Sequence, residues 1–286
     1  MERFRRRPPA GLDANDTMNI PAPVWPVFQL HRGHAPLLIS LPHDGSMIPD
    51  EFSARMVESA RHAPDTDWHV SRLYDFAREL GASILVPRYS RYVVDLNRPP
   101  DDTSLYPGQN TTGLCPAVQF SGEAVYLDGQ APDEAEAARR VELYWRPYHD
   151  ALVAELDRIR GEHGRALLWE GHSIRGEVPF LFEGRLPDLN LGTSAGKSCL
   201  PATQARLEAV LAGQGDYDWV ANGRFKGGYI TRHYGDPEIE VEAVQLELSQ
   251  RNYMDEDSFV YDETKAAQLQ PLLRALLQAA LGPQRG

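Results

Sequence analysis

Six short apolar segments of strand character, at residues 36–41, 83–87, 92–96, 166–169, 218–221 and 244–248, recur along the chain with helical patterns between them. That alternation predicts an α/β fold, since a helix between two strands returns the chain so that the second can pair in parallel with the first. The helical segments carry their own punctuation. Residues 66–80 begin among Asp and Thr capping residues and stop at Gly81, types that satisfy free amides at a helix start and close its last turn. Between residues 133 and 163, Val141, Trp145, Tyr148, Leu152, Leu156 and Ile159 are spaced by three or four and share one helical face. Pro147 lies inside that pattern and removes one ladder hydrogen bond, so a kink or a break into two helices is expected there. Residues 203–211 and 263–281 complete the helical set, and 191–198, with three small-residue breaks, reads as loop. Segments 83–87 and 92–96 are too close for a crossover helix. They are expected to form a hairpin, which makes the sheet mixed.

At 286 residues the length allows one or two domains. No linker-like stretch divides the chain, so we expect a single domain over 21–286 preceded by a flexible tail at 1–20. Residues 1–7 are basic and 8–17 polar, without the apolar core of a secretory signal; Asp13 and Asp16 argue against organelle targeting, and Met18 is an alternative start. Forty-one acidic against 29 basic residues give a net charge of −12, which repels phosphate backbones and anionic lipid surfaces and argues against nucleic-acid and membrane partners. The longest apolar run, residues 37–41, is far short of the ~20 needed to cross a bilayer. Cys115 and Cys199 lie in no CxxC pair and suit a reducing compartment, which predicts the cytoplasm.

Ligands of open α/β sheets bind beyond the carboxyl ends of the strands, which directs attention to the polar residues just after each one. These are His43, the run Asp95-Leu96-Asn97-Arg98, Glu170-Gly171-His172-Ser173, the basic glycine-containing stretch 222–228, and Gln245-Leu246-Glu247-Leu248. Two histidines and a carboxylate on strand ends are the usual ligands of a catalytic zinc, with a position left for water; hydrogen-bonded structural histidines are the alternative. Asn97 and Arg98 suit a carboxylate fork, because guanidinium matches carboxylate in a bidentate way, against a surface arginine beside an Asx-turn. Stretch 222–228 lacks phosphate-loop spacing. Its Arg224 and Lys226, with Arg232 and His233 downstream, suit a second anion or a solvated basic loop equally.

Several motifs, in order, carry a resemblance: Pro42-His43-Asp44-Gly45, Asp65-Thr66-Asp67-Trp68-His69-Val70, residues 90–99, Gly171-His172-Ser173-Ile174, residues 186–193, residues 222–235 and Gln245-Leu246-Glu247. Over residues 36–256 the chain resembles the N-formylglutamate amidohydrolase family. That family is similar to the zinc carboxypeptidases and aspartoacylases, whose pattern is His-x-x-Glu, Asn-Arg, a distal His and a Glu. His43, Asn97-Arg98, His172 and Glu247 follow that order. The resemblance implies a three-layer α/β sandwich with a mixed central sheet, of the zinc carboxypeptidase and phosphorylase/hydrolase-like kind, and one zinc ion. The chain departs from the pattern at Ser46, which cannot replace the carboxylate ligand. We take Asp67 for that place, at the start of a predicted helix where a carboxylate is stabilised; Asp44, Asp50, Glu51 and Asp65 stay open, and Glu170 is expected to orient a ligand from outside.

The resemblance further implies hydrolysis of N-formyl-L-glutamate to formate and L-glutamate, the last step of one route of histidine degradation. Glu247 would be the proton shuttle, and Asn97, Arg98, Arg224 and Arg232 would bind a small dianionic N-acyl amino acid. A zinc amidohydrolase for another N-acyl amino acid, or a carboxylate-binding protein that has lost its metal, are the competing readings.

Overall fold

The computed structural model describes residues 23–105, 108 and 111–283; the tail expected at 1–20 lies outside the described residues. Among the described residues, seven strands form one sheet: β1 (Phe28–His31), β2 (Leu37–Ser40), β3 (Ser83–Pro87), β4 (Ala166–Ile174), β5 (Leu189–Gly192), β6 (Trp219–Ala221) and β7 (Val241–Ser249). Their order is β1-β3-β2-β4-β7-β5-β6. The α-helices are α1 (Asp50–Ser53), α2 (Val70–Leu73), α3 (Glu134–Arg140), α4 (Arg146–His163), α5 (Pro201–Ala212), α6 (Tyr229–Tyr234) and α7 (Glu263–Leu281).

β3, β2, β4 and β7 run parallel at the centre. Both faces there are covered, which is why β2 is a continuous apolar run rather than an alternating one. Successive side chains still point to opposite faces. Leu167, Trp169, Val244 and Leu246 pack with Leu207 and Leu211 of α5 and Leu269, Leu273 and Leu276 of α7. Leu168 and Ala243 face the other way, against Tyr148, Leu152, Leu156 and Ile159 of α4. The three-layer sandwich is therefore present, with one core on each side of a mixed sheet.

The sheet is mixed for a different reason from the one expected. β1 pairs antiparallel with β3, and β5 with β7, whereas residues 92–96 form no strand and no hairpin. The carbonyls of Tyr92 and Val93 accept from the buried Arg140 guanidinium, at 3.2 and 2.9 Å, and Asp95 N donates to Leu114 O. Side-chain and loop partners thus replace a strand ladder. The loop expected at 191–198 begins inside β5, whose residues are all buried. The helix expected over 66–80 is only α2 followed by a 3₁₀ turn at Asp75–Arg78, because His69 sits in the left-handed region at φ 64°. Gly81 does close the segment, at φ 74°. Pro147 falls in the first turn of α4, and a π-helical turn, Val141–Trp145, separates α4 from α3. All six apolar residues assigned to that helical face are buried.

Candidate active site

On the face shared with α4, the first halves of β4 and β7 are apolar and the second halves polar: Leu168 gives way to Glu170 and His172, and Ala243 to Gln245 and Glu247. Register pairs His172 with Glu247 and Glu170 with Gln245. His43 follows the end of β2, and Asp67 is joined to it through Asp67 N to His43 O at 3.0 Å. Asp67 also accepts from Ser173 N at 3.0 Å. The ladder and these two backbone links bring His43, Asp67 and His172 together, with one ligand atom of each within 4.8 Å of the others.

Both imidazoles turn the same nitrogen inward. Nδ1 of His172 lies 3.2 Å and Nδ1 of His43 3.7 Å from Asp67 Oδ2. The outward nitrogens meet other carboxylates: His43 Nε2 is 2.7 Å from Asp95 Oδ1, and His172 Nε2 is 3.3 Å from Glu170 Oε2. Neither Glu170 oxygen has a hydrogen bond, although the residue is fully buried. A divalent cation on the two Nδ1 atoms and Asp67 would leave the imidazole protons on Nε2, facing Asp95 and Glu170, and would give the Glu170 carboxylate its missing donor. Outer carboxylates of this kind fix the tautomer of metal-binding histidines. The donor set therefore fits a divalent metal. Of the other carboxylates considered, Asp44 accepts from Ser71 N, Asp65 accepts from Tyr92 OH and Phe120 N, and Asp50 and Glu51 are exposed on α1.

Charge is finely balanced here. Burial works against ionised Asp67, yet hydrogen bonds from His172 and His43 hold its carboxyl well below the usual range. Burial likewise disfavours protonated His172, but its contacts with Asp67 and Glu170 push it up to about 10. Burial raises Glu247 to about 8, and the nearby Asp67 charge adds to that rise.

A cavity lies over this cluster, and Arg91, Asn97, Arg98, Arg224 and Glu247 line it. Arg91 is buried, donates to Asp95 Oδ2 at 2.7 Å and lies over the Phe120 ring. Arg98 Nε donates to Thr112 O. Asn97 is more embedded than a substrate fork requires: its Oδ1 accepts from Ile230 N at 2.9 Å and its Nδ2 lies 3.2 Å from His172 Nε2. The N-terminus of α6 thereby docks against the histidine. Gly228 makes that approach possible, because a β-carbon there would lie 2.2 Å from Asn97 Nδ2. Arg232, grouped with Arg224 from the sequence, is not among the cavity-lining residues; its Nε donates to Gly227 O at 2.7 Å and braces the loop. Sequence reasoning gave no role to Arg91, Asp95, Gln245 or Leu181, all of which the fold brings to the site or its supports.

A family model described as N-formylglutamate amidohydrolase matches residues 35–254. The chain belongs to the N-formylglutamate amidohydrolase family. N-formylglutamate deformylases of Pseudomonas putida and Pseudomonas aeruginosa are 54% and 55% identical to it over 256 residues, covering 89% of this chain and 96% of each relative. The crystal structure of N-formylglutamate amidohydrolase from Ralstonia eutropha JMP134 matches with a TM-score of 0.74 at 26% identity, over 89% of this chain and 96% of that one. Family membership makes the protein a hydrolase of amides. It also gives the fold a solved counterpart. Among the described residues no helix is long and apolar enough to cross a membrane.

Proposed function

We propose that residues 21–286 form one catalytic domain that hydrolyses N-formyl-L-glutamate to formate and L-glutamate, in the cytoplasm and within a route of histidine breakdown. The observation that carries this reading is the buried convergence of His43, Asp67 and His172 with Glu247 in register beside His172, in a chain of this family. The two free cysteines support the location.

His43, Asp67 and His172 would hold the metal, and two imidazoles with one carboxylate favour zinc. When bound, the metal supplies Lewis acidity to the formyl oxygen and lowers the pKa of the attacking water. Glu247 accepts the proton released as water adds to the formyl carbon. It returns that proton to the amine nitrogen as the C–N bond breaks, so one group serves both steps. Arg98 and Arg224, on separate loops, meet the two carboxylates of the substrate, and Asn97 holds the base of that cradle against His172. Arg91, already paired with Asp95, has a buried Nε with no hydrogen bond and is available to charge developing on the substrate. The net charge of −12 makes these cavity arginines the local exception that recruits a small dianion.

The test is formate release from N-formyl-L-glutamate together with elemental analysis of the purified protein. We expect close to one equivalent of zinc and activity that is lost on chelation and restored by zinc. Full activity in a metal-free preparation would refute the metal-dependent reading.

A further inference from the structure

Strand register divides the cavity into two ends. Along β4 and β7 the rows Glu170 with Gln245, His172 with Glu247, and Ile174 with Ser249 succeed one another, each about 6.5 Å from the next because one face recurs every second residue. Polar groups gather at the Gln245 end. Gly228 N donates to Gln245 Oε1 at 2.8 Å, and Gly228 abuts Asn97, whose neighbour is Arg98. At the opposite end Ile174 starts a small apolar cluster with Val178 and Leu186, against which Leu181, Phe182, Phe225 and Phe120 pack, with the Arg91 and Arg224 guanidinium groups over the Phe120 and Phe225 rings. This cluster is separate from the two cores that flank the sheet.

Leu181 reaches the cavity from a loop closed at its neck. Leu186 N donates to Gly176 O at 2.7 Å, Gly176 N donates to Glu256 Oε1 at 2.8 Å, and Arg251 donates to Leu186 O at 2.7 Å. Residues 176–186 therefore form a compact loop of the Ω type, of a length common at functional sites, and its half-buried Leu181 lines the cavity together with Ile174 and Phe120.

Resting on the reaction proposed above, we infer that Leu181 is a specificity-determining residue that, with Ile174 and Phe120, walls off the acyl end of the substrate and limits it to formyl. The reacting row lies between the polar end and the apolar end. With the dicarboxylate part drawn toward Asn97 and Arg98, the remaining substituent of the scissile carbonyl points along the strands toward Ile174 and Leu181. In a formyl group that substituent is hydrogen. An acetyl group brings a methyl toward the wall that Leu181, Ile174 and Phe120 form.

The experiment compares kcat/KM for N-formyl-, N-acetyl- and N-propionyl-L-glutamate and for N-formyl-L-aspartate in the wild type, Leu181→Ala and Leu181→Met. One methylene in a tight apolar pocket is worth roughly 10- to 200-fold in discrimination. Leu181→Ala should raise the acetyl-to-formyl ratio by at least about tenfold, Leu181→Met should keep the wild-type ratio, and the aspartate-to-glutamate ratio should stay fixed in both. An active wild type with an unchanged acetyl-to-formyl ratio in Leu181→Ala would overturn the wall alone. A shift in the aspartate-to-glutamate ratio instead would overturn it too, by putting the amino-acid side chain at this end. Absence of formate release by the wild type would remove the reaction and the wall together.

Discussion

Glu247 and Arg98 separate two kinds of work done by single side chains. In the proposed reaction Glu247 moves a proton, so Glu247→Gln, which keeps shape and hydrogen bonding, should lower kcat by about 10²- to 10⁴-fold while metal content stays at the wild-type level; elemental analysis beside steady-state rates checks both halves. Arg98 binds charge. A charge-assisted contact is worth about 1.5–3 kcal/mol, so Arg98→Ala should lose about 10- to 150-fold in kcat/KM at 1.36 kcal/mol per tenfold. Hydrolysis of an uncharged N-formyl amino acid as fast as N-formyl-L-glutamate would contradict that role. His43, His172 and Glu247 were legible from the sequence because each follows or ends an apolar strand, where an α/β sheet exposes polar groups; Asn97 and Arg98 were reached by the same rule although residues 92–96 form no strand. Asp67 was not legible in that way: the family pattern breaks at Ser46, and Asp67 stood out only as the start of a predicted helix, which is four residues long in the structure. Asp95 and Arg91 sit within a few residues of Asn97, but spacing alone does not tell that their side chains turn back to His43 and to each other. Arg232, grouped with Arg224 from the sequence, instead has its Nε on Gly227 O and does not line the cavity.

At the scale of elements, the contact between Gly228 and Asn97 joins the start of α6 to the segment that follows residues 92–96, and through it to His172 of β4. Gly228→Ala forces a β-carbon into a buried amide that accepts from Ile230 N and abuts His172, so it has little room to yield. Overpacking of this kind costs about 1–3 kcal/mol, and we expect that loss in urea unfolding along with a fall in kcat/KM. Adding Asn97→Ala should remove the clash, so the double variant should be less destabilised than the sum of the two; strict additivity would show that the two residues do not press on one another. Elements with strong local signals match the sequence closely. α7 spans the expected 263–281, with Asp262 accepting from Thr264 N and Lys265 N at its start. β3 also falls on its expected bounds. β5 escaped notice because Asn190 and Gly192 interrupt its apolar run, although Asn190 spends its amide on Pro187 O and Glu247 O. Residues 92–96 read as strand from Tyr92-Val93-Val94, and nothing local signals that Arg140, nearly fifty residues on, takes their carbonyls.

For the whole molecule, acid sensitivity follows from one buried ring. His149 is stacked on Trp145 and Tyr234, its Nε2 donates to Leu96 O, and burial pushes its pKa down to about 3. The ring stays neutral in the folded chain and takes a proton in the unfolded chain below its ordinary value of about 6.5. The unfolded state then binds more protons, so this contribution to stability is complete above about pH 6.5 and falls toward pH 3 by about 1.4 kcal/mol per pH unit. Urea unfolding at pH 7 and pH 5 should show the steeper loss in the wild type than in His149→Gln, and equal slopes would refute it.

The proposed reacting pair and the proposed substrate contacts have different mechanical origins. His172 and Glu247 are held by a nine-residue strand pairing, while Thr112, Leu181, Arg224 and Phe225 come from connections that the ladder does not constrain. For an engineer this is a modular enzyme. A randomised library confined to positions 112, 181, 224 and 225 can explore new N-acyl amino acids while the bond-breaking groups keep their place, and selections for altered substrate range should converge on those four positions before any in β4 or β7.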